Sequence, residues 1–109
     1  MSHAIRIKAL SVNAAWKGRR FKTDAYKDYE AALLLMLPRL SIPKGKLALS
    51  ITVAFSSKSS DIDNIAKPLI DILQKKYGFN DNRIYRLTLD KLICNKGAEY
   101  ITFRIEGMK

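Results

Sequence analysis

The clearest hydrophobic pattern in the chain runs from Leu47 to Phe55, where Leu47, Leu49, Ile51, Val53 and Phe55 alternate with Ala48, Ser50, Thr52 and Ala54. A period of two places alternate side chains on opposite faces of an extended strand, and one face here is wholly large and apolar. A shorter alternation at Ala4 to Leu10 sets Ile5, Ile7 and Ala9 against Arg6 and Lys8, and predicts a half-buried strand with a basic outer face. Between the two, the spacing becomes helical: Tyr26, Tyr29, Leu33, Met36, Leu37 and Leu40 recur three or four residues apart. Thr23 stands where an N-cap is needed and Asp24 suits the positive end of the helix dipole. Pro38 predicts the end of this helix near Leu37, and Pro43 with Gly45 marks the connection to the strand.

A second helical stripe comprises Ile62, Ile65, Ala66, Leu69 and Leu73. Pro68 lacks an amide donor, so this helix starts close to Asn64 or kinks. Gly78 to Asn82 is a turn-forming cluster. Ile84 to Cys94 then reads as a strand whose alternation slips near Asp90 and Lys91, as a bulge would make it. After a turn at Asn95 to Ala98, Glu99 to Ile105 forms the last strand, with Ile101, Phe103 and Ile105 facing in, and the last two strands are predicted to form a hairpin. The order β-α-β-α-β-β describes one compact α+β domain over residues 1–109, with a mixed sheet and two helices.

Charge narrows the possible partners. Twenty Lys and Arg against ten Asp and Glu give a net charge of +10, and a polyanion would relieve the self-repulsion. Nucleic acid leads, although ribosomal-type RNA or an anionic membrane surface would suit the same total. No stretch approaches the roughly 20 apolar residues of a membrane span. The first residues lack the apolar core of a secretory signal, so a soluble, cytoplasmic protein with no membrane partner is expected. A single cysteine, Cys94, excludes an internal disulfide and reads as a small buried residue on a strand. The cations concentrate in one loop: Lys17, Arg19, Arg20 and Lys22, flanked by Trp16 and Phe21, suit phosphate contacts, with the aromatics in the core or stacking on unpaired bases. Lys58, in a polar loop of serines, is placed to meet a further phosphate.

Against this basic background, Asp61, Asp63, Asp71, Asp81 and Asp90 hold half of the acidic residues. They are either capping and salt-bridging groups or oxygen ligands for a hard cation such as Mg²⁺ held against a phosphate. Asp61 and Asp63 point the same way only on extended backbone, whereas Asp63 and Lys67 share a face once the chain is helical. A strand ending near Asp61 and a helix starting at Asp63 or Asn64 therefore bring both carboxylates and the lysine into one small volume. Asp81 joins them only if the strand after it runs back beside the strand that precedes Asp61. On the capping reading, Asp63 or Asn64 caps the helix and Lys67 pairs with Asp71.

The block Asp61-Ile62-Asp63-Asn64 with Lys67-Pro68 and Asp71, followed by Asn80-Asp81-Asn82-Arg83-Ile84 after Tyr77-Gly78-Phe79, resembles the signature of the RusA family of Holliday-junction resolvases. Ser11-Val12-Asn13, Arg19-Arg20-Phe21 and Thr23 to Tyr26 are similar to that family's opening block. The resemblance implies a homodimeric, bacterial or phage-encoded endonuclease that uses Mg²⁺, with Mn²⁺ a possible substitute, to cut four-way junction DNA symmetrically in recombination and repair. Its catalytic groups map onto Asp61, Asp63, Lys67 and Asp81, the three aspartates being the metal ligands. Asp71 is expected either on the helix surface or in a supporting place beside them, and not as a direct ligand. Asn13, Lys17, Arg19, Arg20, Lys22, Lys58 and Asn64 are the expected DNA contacts. One departure is Asn80, where the family often has a further aspartate. The alternatives are a non-catalytic basic nucleic-acid-binding domain and a metal nuclease for other branched DNA.

Overall fold

The computed structural model describes residues 3–11, 16–17 and 21–109. In chain order its elements are β1 (His3–Ile5), β2 (Trp16–Lys17), β3 (Phe21–Lys22), α1 (Asp24–Met36), β4 (Leu47–Phe55), α2 (Asp63–Tyr77), β5 (Ile84–Ile93) and β6 (Tyr100–Gly107). A 3-10 turn at Asp81–Arg83 joins α2 to β5. The main sheet has the order β1-β6-β4-β5, and β2 with β3 forms a separate ribbon. This is the expected α+β architecture of two helices on a mixed sheet, with a two-stranded ribbon added in the basic loop. No helix among the described residues is long and apolar enough to cross a membrane.

The strand with the strongest alternation occupies the middle of the sheet, between β6 and β5. All five of its large apolar side chains are buried, and each such burial contributes roughly 2 kcal/mol on transfer from water. They share one core with Tyr26, Tyr29 and Leu33 of α1, Ile65, Leu69, Ile72 and Leu73 of α2, and Ile101 and Phe103 of β6. Thr23 caps α1 by accepting a hydrogen bond from the Tyr26 amide at 3.2 Å. Helix α1 ends at Met36, which is exposed where a core position was expected, while Leu37 is buried just beyond it. Helix α2 starts at Asp63 and carries Pro68 inside, on its buried face, so the Asn64 carbonyl loses its helical donor. It stops at Gly78, whose φ of +70° is the left-handed conformation that glycine adopts without steric cost.

Three expectations are corrected. The first strand ends at Ile5 instead of Leu10, because its partner β6 begins at Tyr100, a single residue beyond the Ile5–Ile101 pair, and so cannot support a strand that runs on to Leu10. The last two strands do not form a hairpin. β6 lies antiparallel between β1 and β4, while β5 runs parallel to β4 on its other side, because the most apolar strand takes a neighbour on each edge. The pairing irregularity falls at Leu47/Ala48, opposite Tyr85, and not at Asp90 and Lys91. The slip in the alternation of β5 has another cause: it is an edge strand, exposed along most of its length, so burial does not enforce a pattern.

Core packing of α1 makes stability sensitive to alkali. Burial, with the negative charges of Glu30 and Asp71 adding to it, pushes the Tyr26 phenol from 10.0 up to about 12, and burial raises that of Tyr29 still further. Below pH 10 these phenols are protonated in both states. Above it the unfolded chain releases protons that the folded chain keeps, so stability falls as pH rises from 10 through about 12. Urea midpoints should decline steadily across that window, and Tyr26→Phe should flatten the decline.

Candidate active site

Strand β4 ends at Phe55, and residues 56–60 form a polar loop that leads to Asp61. Within it the Ser57 and Ser59 hydroxyls lie 2.8 Å apart, and the Ser60 amide donates to the Ser57 carbonyl at 3.3 Å. Asp61 and Asp63 are both exposed at the mouth of α2. The Asn64 side-chain amide donates to Asp61 Oδ2 at 3.5 Å. Asp63 is the first residue of α2, where the helix dipole favours negative charge. The capping alternative does not hold for these groups: the N-cap is Ile62, in helical conformation, and no side chain caps the helix. Two carboxylates and a carboxamide thus face solvent at one end of the molecule, with neither carboxylate in an ion pair among the described residues.

Beside them lies a groove of about 430 Å³, lined by Lys8, Leu10, Phe55, Ser60, Asp61 and Asn64. A larger depression of about 540 Å³, between Arg39 and Lys76, has no acidic side chain among the described residues that line it.

Lys67 and Asp71 do pair, as the capping alternative required, with Nζ 2.9 Å from Oδ1. The lysine side chain is 62% exposed, so the pair contributes only a few tenths of a kcal/mol. Asp71 also accepts from Gln74 Nε2 at 3.5 Å. Lys67 therefore reaches along the helix toward its C-terminus and away from Asp63.

Asp81 is placed elsewhere. Its amide donates to Gln74 Oε1 at 2.9 Å, which holds it near the last turn of α2. Asp63 and Gln74 are eleven residues apart on that helix, or about 16 Å along its axis. The sheet says the same: β5 starts beside Leu47 and ends beside Phe55, so Asp81 and Asp61 lie toward opposite ends of a strand about 26 Å long. Within one copy of the chain the three aspartates do not meet. No group of three His, Cys, Asp or Glu side chains that could hold a metal occurs among the described residues. Asn80, the departure from the family pattern, has a structural task, its side chain accepting from the Asn82 amide at 3.0 Å to cap the 3-10 turn.

The expected DNA contacts are only partly placed. Lys17 and Lys22 lie on the β2–β3 ribbon, where Lys17 pairs with Phe21 and Trp16 with Lys22. Asn13, Arg19 and Arg20 lie outside the described residues. Lys58 is exposed on the loop before Asp61. Sequence reasoning missed Lys91, whose ammonium donates to the Lys58 carbonyl at 2.7 Å and also to that of Ser60. Its partners lie some thirty residues away in the chain, so no local pattern signalled it.

Asp61, Asp63 and Asn64 are all hard oxygen donors, and Mg²⁺ is commonly held by one or two carboxylates together with water and substrate phosphate. The residues of one copy fit such a sparse site. A family model for endodeoxyribonuclease RusA matches residues 8–104 of the chain. No curated protein matches it.

Proposed function

The chain belongs to the RusA endodeoxyribonuclease family, and on that premise we propose that it works as a homodimer whose two active sites are each assembled from both copies. Family membership makes it a DNA hydrolase of the Holliday-junction class. The finer reading is a Mg²⁺-dependent resolvase that makes paired symmetric cuts, leaves 5′-phosphate and 3′-hydroxyl ends, and serves recombination and repair in the cytoplasm of a bacterium, encoded by host or phage.

One observation carries the dimer: the outer edge of β5, which no other strand among the described residues pairs with. Four of the six large hydrophobic side chains exposed among the described residues lie on this strand, namely Tyr85, Leu87, Leu92 and Ile93. A ten-residue apolar edge left open invites pairing with another strand. Antiparallel pairing of β5 with its copy about a two-fold axis satisfies both edges and reverses one copy relative to the other. The start of one β5, with Asp81 just ahead of it, then lies beside the end of the other, next to the partner's loop leading to Asp61. The carboxylates that are too far apart in one copy come to the same end of the dimer, twice, related by the axis. Two cuts on symmetry-related strands need that arrangement.

In each such site Asp61 and Asp63, with Asn64 beside them and Asp81 supplied by the other copy, would hold the divalent cation. Bound there, the cation supplies Lewis acidity at the scissile phosphate, lowers the pKa of an attacking water and stabilises the leaving 3′-oxygen. Lys67, one turn beyond Asp63, would exchange Asp71 for the phosphate and add positive charge where negative charge builds up. Asp71 would keep the ammonium nearby until substrate arrives. Lys58, the cations of the 17–22 segment and Asn13 would neutralise or contact phosphates of the junction arms.

The test is incubation with a mobile four-way junction and a matched linear duplex, each with Mg²⁺ and with EDTA. Symmetric nicks confined to the junction and dependent on Mg²⁺ are expected. No metal-dependent cutting of any branched DNA would sink the reading, and faster cutting of a flap than of the junction would move the substrate. The interface has its own test. Leu87→Glu combined with Leu92→Glu should sediment as a monomer with an unchanged circular dichroism spectrum, and should lose cutting by about 100-fold or more.

A further inference from the structure

We infer that Lys91 is a positioning residue for the candidate active site: its ammonium ties the loop that precedes Asp61 to strand β5 and so sets where the Asp61 carboxylate stands. The consequence for metal binding rests on the nuclease reading above; the tether itself does not.

Lys91 lies on β5 opposite Val53, and so on the face of the sheet that carries the helices. From there its Nζ donates to two backbone carbonyls of the same loop, those of Lys58 and Ser60. Nζ also stands 5.7 Å from the centroid of the Phe55 ring, at the other end of that loop. An ammonium has three donors and no acceptor, so two convergent carbonyls and an aromatic face use its bonding capacity well. Hydrogen bonds to a charged donor are also about twice as strong as neutral ones.

Of the loop's other hydrogen bonds among the described residues, Ser56 at its start meets the Glu99 side chain, and those nearer Asp61 are local. Ser57 meets Ser59, and Ser60 folds back on Ser57. Such bonds hold the shape of the loop but not its direction relative to the sheet. The bond to Ser60 supplies that direction one peptide before Asp61. Lys58, whose carbonyl takes the other bond, keeps its own side chain exposed toward solvent, where a phosphate would meet it. Since Lys91 sits on the strand whose outer edge is proposed to pair, the same ammonium also links the interface to the carboxylate.

Lys91→Met keeps the stem and removes the donors, while Lys91→Arg keeps the charge and a donor fork. In Lys91→Met the tryptic cut after Lys58 should become several-fold faster than in the parent, with the thermal midpoint little changed. The Mg²⁺ concentration for half-maximal junction cutting should rise about 10-fold, with junction affinity in EDTA unaltered. Mn²⁺ affinity measured by calorimetry without DNA should weaken to the same extent. Lys91→Arg should recover most of both losses. Tryptic and metal-binding curves that superpose on those of the parent would overturn the proposal. So would a faster tryptic cut with an unchanged Mn²⁺ affinity, since the loop would then be tethered without positioning a ligand. If the parent cuts no DNA, the nuclease reading fails, while the tryptic and Mn²⁺ measurements still decide the role of Lys91.

Discussion

An equimolar mixture of Asp63→Asn and Asp81→Asn chains, each inert by itself, is expected to nick four-way junctions. In a dimer of one chain of each kind, one site combines the altered position 63 of the first chain with the altered position 81 of the second and is dead. The opposite site takes Asp61 and Asp63 from the Asp81→Asn chain and Asp81 from the Asp63→Asn chain, and is intact. Random exchange makes about half of the dimers mixed, so roughly a quarter of the parent's sites return. Those dimers have a single working site, so the product is a nicked junction and not two resolved duplexes. Sites contained within single chains would give no rescue, because each mutant carries its own defect. Denaturing gels of end-labelled junction strands distinguish the outcomes directly. The spacing of Asp81 from Asp61 along the parallel β4–β5 pair is what makes the experiment decisive.

Alone, Asp63→Asn should lower the cutting rate by about 10³ or more while leaving junction binding intact or tighter. The carboxamide keeps the shape of the side chain and loses the charge that a divalent cation needs. Asp63 is exposed at the mouth of α2 and forms no ion pair among the described residues, so its loss breaks no contact that holds the fold. Removing a negative charge from a surface that faces DNA also removes a repulsion, and the gain should be largest at low salt. Mobility shifts in Ca²⁺ and rates in Mg²⁺ separate the two effects. A variant that lost binding and cutting together would point to a structural carboxylate instead.

Much of this was legible in the chain because burial enforces pattern. The strand at 47–55 and the two helices were recognisable from periodicity, since each sets a wholly apolar face against the same core. The cap at Thr23 and the stop at Gly78 follow from local chemistry that tertiary structure did not override. Strand order was not legible: nothing between Ile93 and Tyr100 indicates that the chain passes over β4 to reach its far side, and a short turn-like segment suits a hairpin equally well. The carboxylates at 61 and 63 could be grouped from spacing alone because they are neighbours in sequence. The place of Asp81 depended on the direction of β5, which is a property of the whole sheet. Lys91 was unreadable for a related reason, as an ammonium that serves two carbonyls some thirty residues away leaves no local trace.

The position of β6 carries a consequence for biosynthesis. This strand leaves the ribosome after the other five, yet it fills the slot between β1 and β4. Until it arrives, β1 has no neighbour in the sheet, and the most apolar strand of the molecule keeps one side bare. The nascent chain must therefore carry an unfinished sheet until β6 has emerged, and any stall after β5 leaves an adhesive intermediate in need of a chaperone.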